Sequence, residues 1–121
     1  MRRVILAGLA SVAATAALSA TVFDGRWALL DMPCADETAI LAINTVRGDL
    51  LFAETRCILV MDEAIGDYGL AWNVELICSG EGESWVRNLL LAVVQPPGGG
   101  PDLLVEVDYE DGFVVGRARC G

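Results

Sequence analysis

Short apolar runs, broken by turn residues at intervals of about ten, constrain this chain more than any other feature. That rhythm suits a small antiparallel sandwich or barrel. The clearest run is 70–78, where Trp72, Val74, Leu76 and Cys78 share one face by strict alternation while Asn73 and Glu75 take the other. Further runs are read at 25–30, 38–44, 48–54, 56–61, 84–94, 102–109 and 113–119. Residues 45–48, 62–69 (DEAIGDYG), 79–82 (SGEG) and 110–112 are read as turns, and 95–101 (QPPGGGP) as a connector without regular structure. A helix over 34–43 capped by Asp36 competes with a strand from about Thr38. The expected fold is all-β: a small antiparallel barrel or flattened sandwich of about eight strands, which leaves no long bare edge.

The first twenty residues are set apart. Arg2 and Arg3 precede an uncharged small and apolar run over 4–18, and Ala17-Leu18-Ser19-Ala20 closes it with small residues. This is the layout of a secretory signal peptide, with Thr21 as the new N-terminus. The competing reading, an uncleaved anchor, suffers from a high Ala content in a run shorter than the roughly 20 residues of a spanning helix. Residues 21–121 then form a single domain, exported to the periplasm or beyond, with no membrane contact once the leader is removed.

That domain carries four cysteines, Cys34, Cys57, Cys78 and Cys120. An even count in a small exported chain implies two disulfides. A four-thiolate zinc site fits poorly, because such sites use close pairs and none occurs here. Three connectivities are possible and spacing leaves them open. The expected pairs are Cys34–Cys57 and Cys78–Cys120, since each closes a local hairpin or fastens the C-terminal strand.

Composition removes most chemistry. The chain has no His, and its eight basic residues are all Arg. His-based triads, His-ligated zinc, Schiff-base formation and P-loop phosphate binding are therefore excluded. Six Arg follow the leader against all 17 acids, so the mature balance is −11, not the −9 of the whole chain. Nucleic acid and anionic lipid, which need a basic face, are poor partners for it. Paired carboxylates remain, with Glu54, Glu75, Glu81, Glu83 and Glu106 on or near strands. Acids on outward strand faces ordinarily serve solubility, and no enzyme activity is expected. The acidic stretches 62–67 and 108–112 miss the D-x-[DN]-x-[DN]-G spacing of a calcium loop, so neither metal nor cofactor is expected. Trp27 and Trp72 are read as core, and Trp85 as the tryptophan placed for partial exposure. With Glu81 and Glu83 it forms the candidate contact loop.

Phe23-Asp24-Gly25-Arg26-Trp27 opens the mature chain with Gly-x-Trp at the first strand. This is similar to the start of calycin-type barrels, among them small periplasmic inhibitors of bacterial metalloproteases, and implies a Trp plugging the barrel base. Cys78-Ser79-Gly80 more faintly resembles the Ser-Gly loop of periplasmic inhibitors of C-type lysozyme. The full pattern resembles a group of uncharacterised small exported proteins of Gram-negative bacteria. It comprises Gly-x-Trp, Cys34, Glu54-Thr55-Arg56-Cys57, Cys78 with Gly80-Glu81-Gly82, and a terminal Arg117-Ala118-Arg119-Cys120; the group implies no activity. The expectation is an exported, non-catalytic binding or interaction module, inhibitor-like, acting on a basic periplasmic or extracellular protein. The alternatives are a carrier of a small apolar ligand and a structural envelope protein.

Overall fold

The structure, a computed structural model, describes residues 20–121. The expected leader lies outside the described residues but for its last, Ala20. Eight strands follow one another: β1 (Gly25–Leu29), β2 (Ile40–Asn44), β3 (Asp49–Phe52), β4 (Thr55–Ala64), β5 (Ala71–Gly80), β6 (Glu83–Val94), β7 (Leu103–Asp108) and β8 (Val114–Arg119). Each pairs antiparallel with the next, and β8 returns to β1 to close a barrel. The expected all-β barrel is therefore what forms, and closure gives every strand a neighbour on both sides. Among the described residues no helix is long and apolar enough to cross a membrane.

The helix considered for 34–43 reduces to one 3₁₀ turn, Glu37–Ala39. Asp36 caps it, accepting a hydrogen bond from the Thr38 amide at 3.1 Å. The β-branched residues that follow suit β2. β4 runs further than read, to Ala64, because a bulge between Leu59 and Met61 lets Asp62 and Glu63 stay in the ladder.

Alternation places Trp27, Leu41, Leu50, Leu76, Leu89, Leu91 and Leu104 inside, each fully buried. The expected inward face of β5 holds, with Val74, Leu76 and Cys78 buried. Trp27 plugs the base as its motif implied: its Nε1 donates to the Phe23 carbonyl at 2.9 Å. The Arg119 guanidinium lies over its ring, 4.2 Å from the centroid. Arg119 also donates to the carbonyls of Asp24 and Val22, tying the last strand to the start of the chain. Gly25 accommodates this closure, since a Cβ there would stand 2.9 Å from Arg119 Nη1. Trp72 is half-buried and stacks on Phe23, ring centroids 4.9 Å apart.

The disulfides correct the expected pairing. Cys57 bonds to Cys78, and Cys34 to Cys120. Cys57 and Cys78 are direct cross-strand partners of β4 and β5, both buried in the barrel. Cys120 follows β8, and its amide donates to the Arg26 carbonyl at the start of β1 at 2.8 Å. The loop after β1 that carries Cys34 folds back to the same residue, Arg26 Nη2 donating to Glu37 Oε2 at 2.8 Å. Closure of the barrel, not local hairpin geometry, selects the second bond. With all four cysteines bonded, the chain belongs to an oxidising, exported environment.

Candidate functional site

The β5–β6 hairpin turns on Glu81 and Gly82, both with positive φ (50° and 82°), the left-handed geometry that matches the twist of paired strands. The turn is tighter than the four residues read from sequence, because Ser79 and Gly80 continue β5. Beside it lies the short β3–β4 turn. The approach is close, as a Cβ on Gly80 would stand 2.7 Å from the Glu54 carbonyl oxygen.

Between the two turns is a cavity of about 210 Å³ lined by Glu54, Thr55, Gly80, Glu81, Glu83 and Trp85. The three residues of the candidate contact loop are thus brought together. Trp85 is 38 % exposed, as its position beside the turn implied. Its register partner is Cys78, and it shares its strand face with Arg87 and Leu89, so it stands at the mouth of the barrel. Glu54 and Thr55 complete the site and were not read as part of it. Their inclusion follows from the β4–β5 register, which sets the two turns at the same end.

The Cys57–Cys78 bond fixes this geometry. Thr55 lies two residues before one cysteine and Gly80 two after the other, so the bond clamps the strand ends that carry the cavity walls. Preorganisation of this kind reduces the ordering lost on binding.

Below the mouth the barrel interior is charged, which corrects the reading of Glu106 as an outward, solubilising acid. Leu104, Glu106 and Asp108 form the buried face of β7. Arg117 Nε donates to Glu106 Oε1 at 3.1 Å, and Arg117 Nη1 to the Ala39 carbonyl at 3.1 Å. Arg87 donates to Asp108 Oδ2 through Nε and Nη2 at 3.2 and 3.0 Å. Both guanidiniums lie over the Phe52 ring, at 5.2 and 5.8 Å from its centroid. Burial tends to raise the Asp108 pKa. Hydrogen bonds from the Asp111 amide, Arg87 and the Glu110 amide, with the Arg87 charge, outweigh it and hold the carboxyl below its ordinary value. The cluster acts as a plug, each acid matched to an Arg.

Asp108 Oδ1 accepts from the Glu110 and Asp111 amides, so the acidic turn at 108–112 spends its carboxylate on the backbone. Among the described residues, no three metal-ligating side chains come together. No family model, curated protein or solved structure matches this chain. A cavity of 210 Å³ is below the usual range for small-molecule pockets and has room for one long side chain. Three acidic residues and a tryptophan around one small cavity suit a guanidinium or ammonium.

Proposed function

We propose that the protein is a periplasmic, non-catalytic binding module that docks onto a basic partner protein and takes an Arg or Lys side chain between Glu54, Glu81, Glu83 and Trp85. The observation that carries this reading is the small acidic, Trp-walled cavity on a disulfide-clamped frame. The −11 balance of the mature chain supports it, since complementary charge steers association and selects partners. The inhibitor-like resemblance read from the Gly-x-Trp start is consistent with a rigid barrel presenting one end to its target.

The test is retention of proteins from periplasmic extract on the immobilised mature chain at low and high salt. Wild type is expected to hold a basic protein that salt releases and that the Glu54→Gln, Glu81→Gln, Glu83→Gln triple variant fails to hold. Equal retention by the variant rejects this site.

A second reading, a carrier of a small apolar ligand, is favoured by one observation. A cavity of about 360 Å³ at the barrel base is lined by Val22, Phe23, Ala64, Tyr68 and Trp72, among others. The interior proper is filled by the leucines of the core and the Arg–acid cluster, so a ligand would sit at the base and not within. Native mass spectrometry of the exported protein decides it: a bound small molecule supports a carrier, and a bare mass opposes one.

A further inference from the structure

The outer face of β4–β6 carries an apolar row left exposed among the described residues. Ile58, Ile77 and Val86 are opposite one another in register across the three strands and are 46 %, 46 % and 47 % exposed. The bulge in β4 adds Val60 and Met61, both exposed, to the same side. A closed barrel leaves such a row no strand edge or neighbouring layer to bury it. The largest contiguous apolar patch on a monomer's surface is often functional.

Next to the row runs a groove of about 580 Å³ whose walls include Met61, Asp62, Glu63, Glu75, Asn88 and Tyr109. Tyr109 Oη donates to Asn73 Oδ1, fixing its far wall. Arg56, the basic residue in line with the row on β4, is drawn toward Asp49 at 3.6 Å. Glu63 and Glu75, beside the row, have no ion-pair partner among the described residues, whereas Asp49, the register partner of Ile58, is held by Arg47 and Arg56. An apolar centre with a polar rim is the usual anatomy of a protein interface.

This charge decides the occupant. A second copy would set the same acids against each other, and an anionic lipid surface would be repelled likewise. We infer that this face is a second contact region for the basic partner, receiving a segment whose apolar side chains lie on Ile58, Ile77 and Val86 and whose Lys or Arg groups enter the groove at Glu63 and Glu75. The inference rests on the proposed binding of a basic partner and extends it from the barrel mouth to the barrel side.

The test uses the ¹⁵N-labelled mature protein and three short synthetic peptides: one alternating Leu and Arg, one with Ser replacing Leu, one with Glu replacing Arg. Amide shifts at Met61, Glu75, Ile77 and Val86 are expected with the Leu–Arg peptide. Binding is expected to fall about tenfold or more with the Ser peptide, and to vanish with the Glu peptide. Ile77→Asp, an outward change that leaves the core intact, should weaken the Leu–Arg peptide about tenfold. Equal binding of the Ser peptide, or no shift on this face, overturns the inference. So does sedimentation as a dimer that Ile77→Asp dissociates, or capture by anionic phosphatidylglycerol vesicles. The triple Gln variant separates the two regions. If it loses the periplasmic partner while Ile77→Asp retains it, the mouth stands and this face falls. If the reverse holds, this face stands and the mouth falls.

Discussion

Arg117 donates to Glu106 across β7 and β8 at 3.1 Å, with both side chains buried in the barrel. Breaking such a pair strands a charge away from water, so Glu106→Leu should destabilise the fold by about 3–5 kcal/mol. The double change Glu106→Leu, Arg117→Met should recover part of that loss, because it removes the charge left without its partner. Urea denaturation of the two variants against wild type measures this. A double variant no more stable than Glu106→Leu would count against it.

The depressed pKa of Asp108 makes stability depend on pH in a fixed direction. Its carboxyl is held below its ordinary value of 3.8, so the unfolded chain takes up a proton before the folded one. The contribution is complete above 3.8 and is lost as pH falls through the lower folded value. Wild type should therefore lose stability between neutral pH and about pH 2 more steeply than Asp108→Asn. Urea midpoints across that range supply the comparison, and parallel curves would rule the contribution out.

The two disulfides should differ in access to reductant. Cys57 and Cys78 are fully buried, whereas Cys34 is exposed in the loop after β1. Mild reductant should open Cys34–Cys120 first, while Cys57–Cys78 survives until the barrel unfolds. By loop size, the 86-residue closure contributes about 4–5 kcal/mol and the 21-residue one about 3 kcal/mol. Differential alkylation with peptide mapping reads the order, and reduction of Cys57–Cys78 first would reverse the expectation.

Much of this fold was legible. Strict alternation in β5 and the turn residues every ten or so positions announce eight strands, because each apolar face needs a partner layer. That Glu81, Glu83 and Trp85 meet at one turn was legible for a local reason, since they belong to one hairpin. The cysteine pairing was not read correctly, because ending β4 before Asp62 hid the register. Yet Cys57 lies as far before Asp67–Tyr68 as Cys78 lies after it, and centring the turn there would have found the bond. The inward face of β7 was obscured because Leu103, Val105 and Val107 are the more apolar set. The available signal was on β8, where Arg117 and Arg119 share one face and could neutralise buried acids.

Glu81 sits in the left-handed region, where a non-glycine residue is strained. Glu81→Asn, which tolerates that conformation, should raise stability by up to about 1 kcal/mol. It should at the same time weaken retention of the basic partner. Thermal melts and the salt-dependent retention assay test the two halves. A variant that gains stability with undiminished retention would show that Glu81 serves only the turn.

Zero-length carbodiimide cross-linking to the retained partner tests the binding site most directly. The chain has no Lys, so apart from its N-terminal amine every link must run from one of its carboxylates to an amine of the partner. Links from Glu54, Glu81 and Glu83, suppressed by high salt, are the expected result. Links confined to acids at the opposite end of the barrel, such as Asp67 before β5 and Asp102 before β7, would contradict it.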